Sequence, residues 1–142
     1  MMKLFLTIIT IILFAGCSSK PSDSEIVNQA KDHFQKLFDT DADVVDIKKL
    51  NGIKNENGTY QAHISFNLKY NINWSDLDKA LKLKIKKDPF DFTDARENYE
   101  AIKSFHRPPF KVGDTRAFSD KANFIKTEKG WKLSEMEGTE PI

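Results

Sequence analysis

Residues 60–70, Tyr-Gln-Ala-His-Ile-Ser-Phe-Asn-Leu-Lys-Tyr, alternate apolar and polar side chains without a break. A strict period of two places every second side chain on one face of a β-strand. The stretch therefore predicts a strand of an antiparallel sheet that has one buried face and one wet face. The predicted buried face consists of Tyr60, Ala62, Ile64, Phe66, Leu68 and Tyr70.

A helix is predicted to precede this strand. Ser22 and Glu25 have the spacing of a capping box, in which each side chain binds the backbone N–H of the other residue. We predict a helix from about Ser24 to Phe38 that packs across the sheet. Its apolar positions, which recur at helical spacing, are Ile26, Ala30, Phe34 and Leu37 or Phe38.

A second strand is expected between the helix and residues 60–70. The stretch from Val44 to Leu50 begins with β-branched residues, which favour a strand. Asn51-Gly52 and Asn57-Gly58 are dipeptides typical of turns because they tolerate a positive φ angle. The two strands are therefore predicted to lie next to each other in the sheet.

The C-terminal region predicts a hairpin. Residues 127–130 provide its turn, and Trp131 and Leu133 begin the return strand. Asp120 interrupts the apolar face of the first strand, and residues 137–142 read as a polar tail. The alternating apolar positions of the first strand are Phe118, Ala122 and Phe124.

The region between the two pairs of strands is ambiguous. Trp74, Leu77 and Leu81 have helical spacing, but residues 81–87 also alternate as a strand does. We favour a helix because the stretch lacks Val and Thr. A second helix is predicted from about Thr93 to Ser104. The chain thus reads as α+β, with an N-terminal helix packed on a curved antiparallel sheet of about four strands and a helical insertion between strands 2 and 3.

A short apolar segment at the N-terminus ends at the one cysteine of the chain. Lys3 precedes the segment, and Leu13-Phe14-Ala15-Gly16-Cys17 closes it. This pattern resembles the lipobox of bacterial lipoproteins, in which small residues stand before the modified cysteine. The resemblance implies that residues 1–16 are a signal peptide that is removed, and that Cys17 is the site of lipid attachment.

The same resemblance implies where the mature protein resides. Residues 17–23 would form a lipidated tether, and residues 24–142 a single α+β domain. Acyl chains such as palmitate on Cys17 would anchor the exported protein to the cell membrane. In two-membrane bacteria an aspartate after the cysteine is the signal for inner-membrane retention. Ser18 therefore implies the outer membrane, facing the periplasm.

The charge balance and the cysteine usage exclude some functions. Residues 1–16 carry only Lys3, so their removal leaves equal numbers of basic and acidic side chains. A neutral domain is not expected to bind nucleic acid. With Cys17 lipidated the domain has no disulfide, so its stability must come from burial of apolar side chains.

Residues 124–133, Phe-Ile-Lys-Thr-Glu-Lys-Gly-Trp-Lys-Leu, form the predicted final hairpin. Together with the first helix, this hairpin resembles small cystatin-like or NTF2-like lipoprotein domains. The resemblance implies a sheet that curves around one helix. Domains of these families often hold an apolar small molecule in the resulting cone.

No set of residues predicts catalysis. His33, His63 and His106 lack the spacing of metal ligands, and His63 falls on the wet face of its strand. The chain has neither a nucleophile elbow nor a glycine-rich phosphate loop, and its paired acids flank helices or chain ends. We therefore predict a protein that is not an enzyme and that uses no metal and no cofactor.

The string His106-Arg107-Pro108-Pro109-Phe110 is the best candidate for partner binding. A proline pair presents its neighbours rigidly, and arginine and aromatic residues are enriched at interface hot spots. Arg107 is the strongest candidate, followed by His106, Phe110 and Trp74. The alternative is a connector in which Phe105 and Phe110 dock into the core.

A lysine-rich stretch between residues 79 and 87 offers a second candidate surface. It could contact anionic lipid or an acidic partner. We favour the alternative of a solvated helix face, because nearby aspartates neutralise it.

Two functions are consistent with the sequence. The leading hypothesis is a lipid-anchored envelope protein that binds a macromolecular partner, as small exported inhibitors, immunity proteins, exclusion factors and assembly accessories do. The expected partner is another envelope protein. The alternative is a module that binds a small molecule in an apolar pocket behind Tyr60, Phe66, Phe118 and Phe124. A hydrolase or isomerase would need His63 or an acid inside such a pocket.

Overall fold

An antiparallel sheet with one helix packed across it forms the centre of the molecule. A computed structural model describes residues 19–87 and 92–142 of the chain, so Cys17 and Ser18 of the predicted anchor lie outside the described residues. The elements are α1 (Asp23–Phe38), β1 (Ala42–Lys54), β2 (Tyr60–Tyr70), α2 (Trp74–Lys87), α3 (Phe92–His106), β3 (Thr115–Thr127), β4 (Gly130–Met136) and β5 (Glu140–Pro141).

The predicted α+β architecture is confirmed. The strand order is β1-β2-β3-β4, all neighbours are antiparallel, and β5 pairs with β3 beyond the end of β4. The insertion between β2 and β3 is helical, including the ambiguous residues 81–87 in α2. No described helix is both long and apolar enough to cross a bilayer.

Strand β2 has the predicted bounds and the predicted buried face. Each of its six alternating apolar side chains is at most 4% exposed, whereas His63 on the opposite face is exposed. Ser65 departs from the alternation because it lies on the polar face but is only 8% exposed. Its Oγ is the one buried side-chain polar atom without a hydrogen-bond partner in the described part of the chain.

Helix α1 begins at the predicted capping box. The Oγ of Ser22 accepts a hydrogen bond from the Glu25 backbone N–H at 3.2 Å, and the Ser22 N–H donates to Oε2 of Glu25 at 2.8 Å. The bond from the Ser22 backbone lowers the pKa of Glu25. Of the two alternatives for the last apolar position, Phe38 packs against the core, whereas Leu37 is 66% exposed.

Both edges of the sheet are bonded to α1 through glutamine side chains. Nε2 of Gln29 donates to the backbone carbonyl of Trp131 at 2.9 Å, and the Leu133 N–H donates to Oε1 of Gln29 at 2.8 Å. These contacts lie on β4, which is an edge strand. The primary amide thus makes the pair of hydrogen bonds that a further strand would make.

A second glutamine repeats this arrangement on the other edge strand, β1. Nε2 of Gln35 donates to the Ala42 carbonyl at 3.1 Å, and the Val44 N–H donates to Oε1 of Gln35 at 3.1 Å. The core residues of α1 are Ile26, Ala30 and Phe34, and the two glutamines flank the helix face that they form. The sheet therefore curves around α1 and is bonded to it at both edges.

Strand β1 is longer than predicted, and Asn51-Gly52 is not a turn. Gly52 pairs with Ala62 inside the strand, and the Tyr60 ring lies against Gly52 where a side chain would otherwise project. The glycine is therefore required for close approach of a ring. The actual turn follows at residues 55–59, where the Asn55 N–H donates to the Thr59 carbonyl.

The C-terminal residues 137–142, which were predicted to be a polar tail, include a short strand of the sheet. Glu140 pairs with Ser119, and Pro141 pairs with Phe118. Asp120 explains the return of the chain, because its buried carboxylate accepts hydrogen bonds from the Gly138 N–H at 3.1 Å and from the Thr139 hydroxyl at 2.6 Å. The residue that interrupts the apolar face therefore holds the connection between β4 and β5.

The two ends of the sheet differ in what they carry. At the basal end lie Pro21, which is fully buried, the β1–β2 turn at residues 55–59 and the β3–β4 turn at residues 127–130. At the far end lie the C-terminus of α1, the start of α2 and the loop of residues 107–114. We use these two names below.

The edge bonds generate a prediction about stability. Gln29→Ala leaves the Trp131 carbonyl and the Leu133 N–H without their partner, so we expect the free energy of unfolding to fall by about 1–2 kcal/mol. Urea unfolding measures the loss. The control is Asn28→Ala at the preceding, exposed position of the same helix, which should change stability by less than about 0.5 kcal/mol. Equal effects of the two variants would contradict the proposed role of Gln29.

Candidate functional site

Three of the predicted contact residues come together at the far end, but they are part of the packing. The Phe110 ring stacks on Tyr70 with centroids 3.8 Å apart, Trp74 meets Phe110 edge-on at 5.7 Å, and His106 lies against both Tyr70 and Phe110. Phe110 is 3% exposed and His106 is 8% exposed. This burial disfavours Phe110 and His106 as contact residues, because a side chain enclosed by other rings has little surface to offer a partner.

The placement matches the alternative that the sequence left open. Phe110 is docked in the core, and Phe105 is partly buried, with its ring stacked on Phe118 at 4.6 Å. Trp74 is likewise half-buried against the core. Residues 106–110 thus connect α3 to the sheet, and Arg107 is the one of the four predicted contact residues whose side chain is exposed.

A buried neutral pair holds this region. The hydroxyl of Tyr70 and Nδ1 of His106 share a hydrogen bond of 3.0 Å. Burial, together with the smaller effect of the nearby Arg116 guanidinium, lowers the pKa of His106 to about 4. Burial raises the pKa of Tyr70 to about 12. Both groups are therefore uncharged at neutral pH, which is compatible with their apolar surroundings.

Arg116 fastens the chain on the other side of His106. Its Nη1 donates to the His106 carbonyl at 2.7 Å, and its Nη2 donates to the Pro109 carbonyl at 3.0 Å. A planar guanidinium can hold two carbonyls in a fixed relation, which a lysine cannot do. The sequence analysis missed Arg116, because nothing in its neighbourhood in the chain indicates that it faces two carbonyls of a loop.

The loop of residues 107–114 is held to the sheet and to α2 along its length. The Gly113 N–H donates to the Tyr70 carbonyl at 2.7 Å, and the Tyr70 N–H donates to the Asp114 carbonyl at 2.9 Å. The Val112 N–H donates to Oδ1 of Asn73, the residue before α2, at 3.1 Å, and the Trp74 N–H at the start of α2 donates to the Phe110 carbonyl at 3.1 Å. The backbone of this loop is therefore fixed by the fold itself.

What the loop exposes is a mixture of cationic and apolar side chains. Arg107 has a left-handed backbone with φ of 46°, and its N–H donates to the Lys103 carbonyl at 3.0 Å, which ends α3. Arg107 and Lys111 are exposed, and Val112 is 59% exposed. Such a surface, with charged groups beside an exposed aliphatic side chain on a rigid backbone, is suited to contact a macromolecule.

Two open depressions occur elsewhere. A groove of about 460 Å³ runs between α1 and β4, and a polar cleft of about 200 Å³ lies near Asp120. The groove is lined by Gln29, Asp32, His33, Lys36, Leu37, Lys132 and Leu133. In the cleft, His63 stands outside the core as predicted, and Asp120 is bonded to the β4–β5 connection. Ser119 also lines this cleft, but among the described residues no hydrogen bond joins its side chain to His63 or to Asp120.

The space that a small apolar ligand would need is filled. Phe34 of α1 stacks on Phe66 with centroids 4.2 Å apart, and Phe66 stacks on Phe118 at 5.7 Å. Tyr60 meets Trp131 edge-on at 6.3 Å. The aromatic side chains that were expected to line a pocket therefore pack against one another, which disfavours the small-molecule alternative.

The remaining candidates behave as ordinary surface groups. Lys82 in α2 binds Asp78 at 2.7 Å, and this hydrogen bond lowers the pKa of Asp78. Lys79 and Lys82 are exposed, as expected for a solvated helix face. Within residues 19–87 and 92–142, no group of three or more His, Cys, Asp or Glu side chains could hold a metal ion.

Comparison with protein-family models, with curated proteins and with solved structures gave no match. The expected similarity to cystatin-like or NTF2-like domains therefore stays a prediction.

The buried histidine generates a prediction about pH. The pKa of His106 falls from 6.5 to about 4 on folding. Between these pH values the unfolded chain binds a proton at His106 and the folded chain does not. Stability should be level above pH 6.5 and should fall as the pH drops from 6.5 towards 4, by about 3 kcal/mol in all. Urea unfolding at a series of pH values measures this.

The control separates His106 from the carboxylates. His106→Gln cannot titrate, so its stability should change less with pH over this window than that of the unaltered protein. His63→Gln, at an exposed position, should leave the slope unchanged. An unchanged slope in His106→Gln would contradict the assignment.

Proposed function

We propose that this protein is a lipid-anchored protein of the bacterial cell envelope that acts without catalysis, by binding a macromolecular partner through the loop of residues 107–114. The lipid is attached to Cys17, and the anchor holds the domain at the outer membrane, facing the periplasm. The small-molecule alternative is not favoured, because the rings of Phe34, Phe66 and Phe118 occupy the space it requires.

The observation that carries this proposal is the pre-organisation of the loop. Hydrogen bonds from the loop backbone to Tyr70, to the Asn73 side chain and to the Arg116 side chain fix it before any partner arrives. Ordering a flexible loop on binding costs free energy for each residue that is immobilised, and a fixed loop avoids that cost. Arginine is also enriched among the hot-spot residues of protein interfaces, which supports Arg107 as the main contact.

The position of the loop agrees with anchoring. It lies at the far end, whereas the segment that follows Cys17 enters the domain at the basal end through Pro21. A partner in the same membrane or in the adjacent periplasm can therefore reach the loop. Confinement to a thin layer raises the effective concentration of the two proteins, so a modest intrinsic affinity suffices.

The buried titratable groups support a role without catalysis. His106 is bonded to Tyr70, and the carboxylate of Asp120 is bonded to Gly138 and Thr139. These hydrogen bonds give both side chains a structural role. Inhibitors, immunity proteins, exclusion factors and assembly accessories are the kinds of small lipoprotein that act in this way.

Site-specific photo-crosslinking tests the contact surface. With a photoreactive residue at position 112 of the lipidated protein in its own host, we expect a discrete adduct with one envelope protein. Arg107→Ala should reduce that adduct, whereas Lys103→Ala, one turn earlier on α3, should not. A photoreactive residue at position 121 on the opposite sheet face is the positional control. Equal adducts from positions 112 and 121 would contradict the assignment of the loop.

Substitution of the cysteine tests the anchor. Cys17→Ser removes the acceptor of the lipid, so we expect the protein to leave the membrane fraction and to lack the mass of the acyl chains. The domain should unfold at the same urea concentration as the unlipidated wild-type domain, because Cys17 precedes its first buried residue, Pro21. An unchanged membrane fraction for Cys17→Ser would show that another feature anchors the protein.

A further inference from the structure

The tether is shorter than the sequence predicts. Residues 17–23 were expected to separate the domain from the membrane, but Pro21 is fully buried and Ser22 caps α1. Residues 18–20 alone therefore separate Cys17 from the packed domain. At about 3.5 Å per residue, the Cα atom of Cys17 is within roughly 14 Å of that of Pro21. A lipid on Cys17 would thus bring the basal end down to the headgroups.

The contacts of α1 identify which surface this is. Asp23, in the first turn of the helix, forms an ion pair of 2.7 Å with Lys49 of β1. Gln29 bonds β4 just after its first residue, Gly130. The chain from Cys17 therefore enters the domain at the basal end, beside the β3–β4 turn and level with Lys49 of β1.

The basal end carries the side chains that suit a phospholipid surface. Ile53 is 60% exposed and Ile125 is 41% exposed, each close to one of the two turns. We call the exposed group formed by these two isoleucines and the neighbouring lysines the basal surface. It consists of Ile53, Lys54, Ile125, Lys126, Lys129 and Lys132.

The charge of the basal surface has the sign required for anionic lipid. Its four lysines are accompanied by two exposed acids in the turns, Glu56 and Glu128. The far end carries charges of both signs, because Asp39, Asp41 and Asp43 are exposed there together with Lys69, Arg107 and Lys111. An anionic membrane attracts the lysines of the basal surface, and the short tether places that surface nearest to the bilayer.

We propose that the basal surface rests on anionic phospholipid, with Ile53 and Ile125 at the level of the headgroups and the lysines against the phosphates. This inference depends on the proposed lipid anchor at Cys17, because the lysines alone give only weak binding. The bilayer then holds the domain upright, and the loop of residues 107–114 points away from the membrane towards its partner.

The test uses the full mature protein with its lipid, reconstituted into vesicles of equal parts phosphatidylcholine and phosphatidylglycerol. Lipidation consumes the thiol of Cys17, so an engineered cysteine is the one free thiol for a fluorophore. Labels are placed at Glu56→Cys in the basal end and at Val112→Cys in the far loop. A quencher attached to lipid headgroups should quench the first label severalfold more strongly than the second.

Matched charge reversals isolate the basal lysines. In the basal variant Lys54, Lys126 and Lys129 are changed to Glu, and quenching of the label at position 56 should fall to that of the label at position 112. Each lysine near an anionic surface raises the equilibrium constant for membrane contact by about fivefold. The loss of three lysines should therefore lower the quenching even though the tether still holds the domain near the bilayer. The control variant, with the same net charge, changes the exposed lysines of the far end, Lys69, Lys103 and Lys111, and should keep the quenching.

The outcomes distinguish this inference from the anchor on which it depends. Equal quenching of both labels in protein that carries acyl chains and floats with the vesicles would overturn the orientation while leaving the anchor intact. Protein without acyl chains, or protein that does not float, would overturn the anchor itself. Self-quenching of the label at position 56 that rises with protein density, without lipid quenching, would assign the basal surface to a second copy of the chain and would also overturn the inference.

Discussion

The fold depends on one constraint, the attachment of both sheet edges to α1. A four-stranded sheet that curves around a helix leaves unpaired backbone groups on its first and last strands, and such edges invite pairing with other chains. Gln29 at β4 and Gln35 at β1 each bond one carbonyl and one N–H of the edge with a side-chain amide, which offers both a donor and an acceptor. Because both glutamines flank the buried stripe of the same helix, the curvature of the sheet and the seating of α1 are set together.

At the far end, the loop of residues 107–114 is irregular and is fixed to the end of the sheet by packing and by hydrogen bonds. The rings of Tyr70 and Phe110 supply the packing, and Arg116 supplies hydrogen bonds to the carbonyls of residues 106 and 109. The arrangement keeps His106 neutral and leaves Arg107 and Val112 outside. A rigid loop is therefore built from buried aromatic residues, and its exposed side chains are free to contact a partner.

The sequence correctly predicted the elements that are determined by neighbouring residues in the chain. Residues 60–70 showed their two faces by strict alternation, and α1 showed its start by the capping box, so both were confirmed. The errors concern residues whose role depends on distant parts of the chain. Asn51-Gly52 has the composition of a turn, but Gly52 lies inside β1 and leaves space for the ring of Tyr60 on the neighbouring strand. Residues 137–142 have the composition of a tail, but Asp120 binds their backbone.

The candidate site could be predicted only in part, for the same reason. An aromatic residue beside two prolines is as suitable for an interface as for a core, and only the stacking of Phe110 on Tyr70 decides between them. Arg107 was chosen because arginine beside a rigid proline pair is typical of interfaces; it is exposed in the structure, and its role as a contact stays a prediction. Arg116 was missed because its hydrogen bonds go to backbone carbonyls, which every sequence contains.

The central claim is that residues 107–114 are ordered before they meet a partner, and amide hydrogen exchange of the free protein measures this directly. The N–H groups of Val112 and Gly113 donate to Asn73 and Tyr70. They should therefore exchange far more slowly than an unstructured peptide, with protection approaching that of the N–H groups of β2. Exchange of these two amides at the rate of an unstructured peptide would contradict the account, because the loop would then have to be ordered by its partner.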